Sequence, residues 1–173
     1  MMGASRPAAA ADDADARRYE TYRQPAKIVA SLALRPGLRV ADVGAGRGLL
    51  TGRFADAVGP GGRVVATDVD GAALAAIPRR PTIETRVVAA ATPGLEPGAY
   101  DRIFLGEVDQ YLPDRVAYFR ALVPALAPSG FIAVSNRLTY RSAVLAAAHA
   151  AGLRAVELPV SLPGHFFIRL EHP

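Results

Sequence analysis

Arg39–Thr51, with the sequence RVADVGAGRGLLT, decides the fold of this chain. Its first part is apolar except for Asp42, which is typical of a strand in a parallel sheet covered by helices on both faces. Glycines follow at alternate positions, Gly44, Gly46 and Gly48, and they allow a tight turn and a close approach of backbone N–H groups to a ligand. The helix that follows directs its positive end at this turn. The stretch therefore predicts a strand, a ligand-binding turn and a helix.

The glycine spacing indicates which ligand the turn binds. The dinucleotide fingerprint G-x-G-x-x-G needs a third glycine where this chain has Leu49. The spacing here is G-x-G-x-G, and Asp42-Val43-Gly44-Ala45-Gly46-Arg47-Gly48 resembles the first motif of the class I S-adenosylmethionine-dependent methyltransferases. The resemblance implies that Gly44, Ala45, Gly46 and Gly48 pass under the methionine part of S-adenosylmethionine and that Asp42 holds its ammonium group. A nicotinamide-dependent oxidoreductase is the third-ranked reading, because the third glycine and a Tyr-x-x-x-Lys pair are missing.

A second acid follows at the end of the next strand, Arg63–Val69. Asp68 lies 24 residues after Gly44, where nucleotide-binding folds place an acid that accepts hydrogen bonds from both ribose hydroxyls. The resemblance places the ribose of the cofactor at Asp68, with Val69 beside it. The alternative for Asp68 is a helix cap, which Asp70 could equally supply.

Two further strands complete the predicted cofactor site. Thr82–Ala89 alternates at its start and is expected near the edge of the sheet. The resemblance places the adenine beside Ala90, where this chain offers Thr92 or the backbone but no acid. Gly98–Gly106 is similar to the family's fourth strand, and Leu105 is included among its cofactor-binding residues.

The C-terminal half predicts the rest of the sheet. Ala127–Gly130 resembles the turn before the family's fifth strand, Phe131–Ser135. Two final strands, Arg154–Leu158 and His165–Leu170, fit the pair that ends the methyltransferase sheet. We therefore predict an α/β fold, a three-layer Rossmann-like sandwich with a seven-stranded, mostly parallel sheet and an antiparallel last strand. Its predicted helices are Pro25–Leu34, Leu49–Val58, Gly71–Ile77, Arg115–Leu126 and Tyr140–Ala151.

The chain divides into three predicted parts. Residues 1–11 are rich in alanine and are expected to be disordered. Residues 12–35 predict a helical lid such as many class I methyltransferases carry, in which Tyr19 and Tyr22 either face the cofactor or serve in packing. Residues 36–173 form the predicted methyltransferase core.

The loop after the fourth strand carries the candidates for catalysis. Glu107 and Asp109 are two residues apart, so they could point to the same side on leaving the strand. Ligands of open α/β sheets bind at the carboxyl ends of the strands, so this loop should face the methyl group. Asp109, and next to it Glu107, is the predicted base or hydrogen-bond acceptor. Both could instead be bystanders. The role of His165, at the start of the last strand, stays open, and His149 is interpreted as a surface or packing residue.

Departures from related families restrict the chemistry. The metal-dependent catechol O-methyltransferases need an aspartate at the place of Gly106 and an Asp-Asn pair where this chain has Ser135-Asn136. Two of three oxygen ligands are missing, so no metal site is predicted. The Asn/Asp-Pro-Pro-Tyr/Phe motif of adenine and glutamine N-methyltransferases is also absent after the fourth strand. We predict a metal-independent S-adenosylmethionine-dependent methyltransferase for a small-molecule oxygen or nitrogen acceptor. The alternative is a catalytically inactive module on the same fold that binds S-adenosylmethionine or a partner.

Composition bounds the remaining function classes. The net charge is +4, but the arginines are scattered and Lys27 is the only lysine, so a nucleic-acid partner is not expected. No apolar run is long enough to span a bilayer, and the first residues lack the order of a secretion signal. The chain has no cysteine. We expect a cytoplasmic protein with no membrane partner, and a homodimer is left open.

Overall fold

A computed structural model describes residues 17–172. The predicted tail, residues 1–11, and residues 12–16 of the predicted lid lie outside the described residues. The strands are β1 (Arg39–Val43), β2 (Arg63–Asp68), β3 (Ile83–Val87), β4 (Tyr100–Gly106), β5 (Leu126–Arg137), β6 (Arg154–Glu157) and β7 (His165–Glu171).

The strands form a single seven-stranded sheet in the described part of the chain, in the order β3-β2-β1-β4-β5-β7-β6. β1 to β5 pair in parallel, and β7 runs antiparallel to both β5 and β6. β3 lies at the edge, as its alternating start predicts. The predicted fold class, a mostly parallel sheet with an antiparallel last strand, is confirmed.

Helices cover both faces of the sheet. Residues 17–23 form α1. The other helices are α2 (Pro25–Ser31), α3 (Thr51–Val58), α4 (Gly71–Ala75), α5 (Arg115–Leu122) and α6 (Arg141–Ala150), with 3-10 turns at Asp109–Tyr111, Val123–Ala125 and Leu138–Tyr140. No helix within residues 17–172 is long and apolar enough to cross a membrane.

β4 shows how the two faces share the core. Ile103 and Leu105 are fully buried with the side chains of α5 and α6. Phe104, between them, points to the other face with the side chains of α2 and α3. Its ring lies edge-on to Phe54, with the centroids 5.5 Å apart, and stacks on Phe167 at 6.3 Å. The sheet is thus fixed between two apolar layers, and its strand ends are held in place for a site.

All five predicted helices are shorter than predicted, and local backbone chemistry explains two of the differences. α3 begins at Thr51, not Leu49, since Gly48 has φ +76° and the turn continues past it. α5 ends at Leu122, not Leu126, because Pro124 has no N–H to donate and the chain continues as a 3-10 turn.

The prediction of a turn at Ala127–Gly130 before the fifth strand is wrong, because these residues lie inside β5. Tyr100 pairs with Leu126 but Arg102 pairs with Phe131, so the residues between them bulge from the strand. A Cβ at Gly130 would lie 2.6 Å from the carbonyl oxygen of Tyr100. The glycine therefore lets the bulge stay against β4 instead of leaving the sheet.

Candidate functional site

The glycine turn follows β1 at the carboxyl edge of the sheet. Gly44, Gly46 and Gly48 have φ values of +71°, +53° and +76°, in the left-handed region that favours glycine. A Cβ at Gly44 would lie 2.4 Å from Val108, and one at Gly48 would lie 2.7 Å from Ile77, whereas nothing lies within 4 Å of one at Gly46. Two glycines are therefore required by packing, and Gly46 faces open space.

The N–H groups of the turn are not free for a ligand, which corrects part of the expectation. Gly44 and Ala45 donate to the carbonyl oxygen of Thr67, at 2.8 and 3.0 Å. Gly46 donates to the carboxylate of Asp68 at 2.8 Å. The turn therefore supplies a smooth, closely packed surface, and the N–H donors of Gly44, Ala45 and Gly46 hold its shape.

Asp68 links β2 to the glycine turn. One carboxylate oxygen accepts from the N–H of Gly46, and the other accepts from the N–H of Asp70 at 2.9 Å. Asp70 caps α4 by accepting from Ala72 and Ala73, so the cap is Asp70 and not Asp68. A carboxylate has about four lone-pair sites. Two of them stay available at Asp68 for a pair of hydroxyl donors.

A cavity of about 300 Å³ opens where β1, β2 and β4 end, and we call it the strand-end cavity. It brings together residues that the sequence predicts for one cofactor: Gly44, Asp68, Val69 and Ala90, with Glu107 at the far wall. Leu105, which was also predicted to bind the cofactor, does not line this cavity, because its side chain is fully buried in the core. The volume falls in the range of small-molecule sites, about 300–1,000 Å³.

Replacing Asp68 with alanine should weaken binding of S-adenosylhomocysteine by about 1–3 kcal/mol, the cost of unmade hydrogen bonds to a charged group. Titration calorimetry measures the change. Asp70→Ala is the matched control, because it removes a neighbouring carboxylate that only caps α4. Equal affinity of Asp68→Ala and the parent protein would remove Asp68 from the ribose site.

Asp42 is buried beside the glycine turn. Its carboxylate accepts a hydrogen bond of 2.6 Å from the hydroxyl of Thr51 at the start of α3. Burial raises the pKa of Asp42 to about 6, the Thr51 hydrogen bond opposes that rise, and the charge of Asp68 adds to it. Asp42 lines a second cavity of about 240 Å³, the turn cavity, with Gly44, Ala45 and Gly46. An ammonium group bound in this cavity would be an oppositely charged partner for the buried carboxylate and would stabilise its ionised form.

Glu107 forms the wall between cavities. It adopts φ +53°, and this backbone is held by its N–H donating to Ser135 O at 2.9 Å and by Gln110 donating to its carbonyl at 2.8 Å. It lines the strand-end cavity, the turn cavity and a third cavity of about 480 Å³, the basic cavity, which also contains Arg137 and His165. A non-glycine residue in this conformation is strained, and such strain concentrates at functional sites.

Two arginines and a histidine surround the Glu107 carboxylate. His165 Nε2 lies 2.9 Å and Arg137 Nε 3.5 Å from one oxygen, and Arg23 Nε lies 3.6 Å from the other. Burial acts to raise the pKa of Glu107, but the hydrogen bond with His165 and the charges of Arg23, His165 and Arg137 outweigh it and hold the pKa below its usual range. Glu107 is therefore kept ionised and is a weak base.

Asp109 does not share the position of Glu107. The chain leaves β4 at Gly106 and winds into a 3-10 turn, so the strand spacing that would place both acids on one side is lost. Asp109 is 1% exposed. It accepts from Arg115 Nε at 2.9 Å and from Asn136 Nδ2 at 2.5 Å. The structure separates the predicted pair, with Glu107 in the cavities and Asp109 in a buried network beneath them.

Two residues of the site, Arg23 and Arg137, were not singled out by the sequence, and His165, whose role the sequence left open, lies beside them. Arg23 on α1 is 5% exposed, and its Nε and Nη1 atoms are buried without a hydrogen-bond partner. Arg137 follows Asn136 at the end of β5, and His165 begins β7 opposite it. The spacing of Tyr19 and Arg23, one helical turn apart, is a signal that could have placed Arg23 on the same helix face as a lid tyrosine. Within residues 17–172, no group of three or more metal-binding side chains is placed to hold a metal ion.

The family comparison identifies the core of the chain. A sequence profile described as "Methyltransferase domain" matches residues 41–132, from β1 through the first half of β5. Nocamycin O-methyltransferase of Saccharothrix syringae is 32% identical over 129 residues, which cover 70% of this chain and 46% of that protein. Trans-aconitate 2-methyltransferase of Variovorax paradoxus is 35% identical over 125 residues, which cover 68% of this chain and 46% of that protein. The chain thus spans about half the length of these relatives.

Solved structures share the fold. A SAM dependent methyltransferase from Aquifex aeolicus superposes with a TM-score of 0.77 at 20% identity, covering 88% of this chain and 91% of that one. A TehB-like SAM-dependent methyltransferase from Corynebacterium glutamicum gives 0.71 at 16% identity, covering 97% of this chain and all of the other.

Proposed function

This chain belongs to the class I S-adenosylmethionine-dependent methyltransferases, and from that premise we propose that it transfers a methyl group to an oxygen or nitrogen atom of a small molecule. S-adenosylmethionine supplies a methyl group bound to a positively charged sulfur, which an acceptor lone pair can attack directly. The protein then needs chiefly to hold donor and acceptor in line.

One observation supports the proposal most strongly. The strand-end cavity and the turn cavity adjoin and share Gly44 and Glu107, so the glycine turn, Asp42 and Asp68 border this pair of cavities, which we call the cofactor groove. Asp68 suits ribose hydroxyls and Asp42 suits an ammonium group, and S-adenosylmethionine carries these polar groups on opposite sides of its sulfur. Val88, Ala89 and Ala90 provide an apolar wall for the base. The residues present therefore fit the cofactor.

The relatives support a small-molecule acceptor. One is named for O-methylation of nocamycin and the other for methylation of trans-aconitate. Because this chain covers only part of each relative, their names support only the proposal that the acceptor is a small molecule. The kind of acceptor is inferred from the residues of this chain.

We propose Glu107 as a positioning residue of the acceptor site, because its carboxylate lies beside Arg23 and Arg137 at the basic cavity. It lines the cofactor groove and the basic cavity at once, so an acceptor in the basic cavity meets the cofactor beside it. Asp109 stays a prediction as a base, and it is the weaker candidate since both of its oxygens already accept hydrogen bonds.

A transfer assay tests the proposed function. The protein is incubated with S-adenosylmethionine carrying a labelled methyl group and with a panel of small hydroxyl, amine and carboxyl compounds that includes trans-aconitate. We expect label in at least one compound, together with S-adenosylhomocysteine, and none after heat denaturation of the protein. Tight binding of S-adenosylhomocysteine with no transfer to any compound would favour the inactive binding module instead.

A further inference from the structure

The basic cavity is positively charged and adjoins the cofactor groove. Its lining residues are Arg18, Arg23, Arg137, Glu107, His165 and two tyrosines. Three arginines face one carboxylate, so the lining residues carry two uncompensated positive charges even with the histidine neutral. A ligand that fits this cavity carries negative charge.

Arg23 carries part of this charge at the boundary of the basic cavity and the turn cavity, both of which it lines. Its side chain is 6% exposed, and its Nε and Nη1 atoms are buried with no hydrogen-bond partner. Glu107 is 3.6 Å away, too far to accept a hydrogen bond. Buried polar groups without partners are rare in folded proteins and call for an explanation, such as a missing ligand. Arginine N–H groups donate strongly to carboxylates, so a carboxylate in the cavity would satisfy one of these donors.

We propose that the methyl acceptor is a small carboxylic acid whose carboxylate binds to Arg23 and Arg137 in the basic cavity, and that the product is its methyl ester. This inference rests on the proposed function, since it names the substrate class of the same site. Arg137 is at the open side, with its side chain 70% exposed, and Arg23 is at the closed side.

The chemistry agrees with the acids that the chain offers. A carboxylate oxygen forms the new bond to the methyl carbon while the methyl–sulfur bond breaks, and the electron pair of that bond goes to the sulfur. No proton is released, so no base is required. Asp109 has both oxygens occupied, and the surrounding cations lower the pKa of Glu107. Neither acid is set to remove a proton from an alcohol or an amine, and a carboxylate needs neither.

Binding to the protein saturated with S-adenosylhomocysteine tests the inference without turnover. The probes are acid and amide pairs of the same shape: benzoate with benzamide, succinate with succinamide, and tricarballylate with its triamide. We expect at least one acid to bind tenfold or more tightly than its amide, about the effect of one charge-assisted hydrogen bond. Equal binding within every pair would overturn the proposal.

Two variants assign that preference to the named arginines. Arg137→Gln changes an exposed side chain and leaves the fold intact, and Arg23→Lys keeps the charge but removes donors. Each should weaken binding of the preferred acid by about tenfold and leave the amide unchanged. Arg79→Gln is the matched control, since it removes an exposed positive charge outside the basic cavity. Unchanged acid affinity in Arg137→Gln and Arg23→Lys would contradict the proposal.

A second arm separates the acceptor's carboxylate from the carboxylate of the cofactor. If Arg23 held the cofactor, Arg23→Lys would weaken binding of S-adenosylhomocysteine but not of 5′-methylthioadenosine, which lacks that carboxylate. That result would overturn the assignment of Arg23. We expect both ligands to bind Arg23→Lys as they bind the parent protein.

The product distinguishes this inference from the proposed function. A methyl ester releases its label as methanol in alkali, whereas a methyl ether or a methylamine does not. We expect alkali-labile label in the carboxylic acids. Alkali-stable label in hydroxyl or amine compounds would refute the carboxylate acceptor while keeping the methyltransferase. Failure of S-adenosylhomocysteine to bind would refute the proposed function itself.

Discussion

Replacing Asp109 with alanine is expected to lower the free energy of unfolding by about 3 kcal/mol, the range for breaking a buried ion pair and leaving its partners unsatisfied. Asp109 is the common acceptor of Arg115 and Asn136, and Asn136 is fully buried. Without the carboxylate, one N–H of Asn136 loses its acceptor, and Arg115 keeps an unpaired charge on a side chain that is only 24% exposed. Urea denaturation followed by circular dichroism measures the change.

Asp56→Ala is the matched control for that measurement. Asp56 also pairs with an arginine, Arg80 at 2.5 Å, but its side chain is 69% exposed. Exposed pairs contribute about 0–1 kcal/mol. A loss at Asp109 no larger than the loss at Asp56 would contradict the anchoring role. The prediction that Asp109 is a base requires a different outcome, in which Asp109→Asn loses turnover and keeps its stability.

Replacing Asp42 with asparagine is expected to change how stability depends on pH. The pKa of Asp42 in the folded protein is raised to about 6 from 3.8, so the folded state binds a proton that the unfolded state has lost between these values. This contribution to stability is present below pH 3.8 and is lost as the pH rises to about 6. The variant has no such group. Its free energy of unfolding, relative to that of the parent, should therefore rise by about 3 kcal/mol across this window and stay constant at higher pH.

Unfolding curves of both proteins, recorded at half-unit steps from pH 4 to pH 8, give the difference directly, and other titrating groups cancel. A difference that stays flat between pH 4 and pH 6 would contradict the raised pKa. The same variant should bind S-adenosylhomocysteine about tenfold more weakly, the effect of one lost charged hydrogen bond. It should bind 5′-methylthioadenosine as the parent does, because that compound has no ammonium group.

The features that the sequence could predict are those that depend on neighbours along the chain. A buried strand followed by three glycines placed β1 and its turn, and an acid at the end of the next strand placed Asp68 beside them. The alternation of strands and helices predicted a parallel sheet, which the strand order confirms.

The features that the sequence could not predict depend on contacts between distant segments. Glu107 and Asp109 are two residues apart, but Glu107 meets Arg23 and His165 whereas Asp109 meets Arg115 and Asn136. The left-handed backbone conformation of Glu107, directly after β4, causes this separation. Glutamate rarely adopts that conformation, so the sequence does not indicate it. Burial of Arg23 likewise depends on Gly106 and Glu107, which are distant from it in the sequence, whereas its spacing from Tyr19 indicates only a shared helix face.

Titration calorimetry of the protein with S-adenosylhomocysteine and, separately, with NAD tests the assigned cofactor groove most directly. We expect S-adenosylhomocysteine to bind one site with a dissociation constant in the micromolar range, and this binding to weaken in Asp68→Ala but not in Asp70→Ala. NAD should not bind. Binding of NAD in place of S-adenosylhomocysteine, or of neither compound, would contradict the assignment of the glycine turn, Asp42 and Asp68 to S-adenosylmethionine.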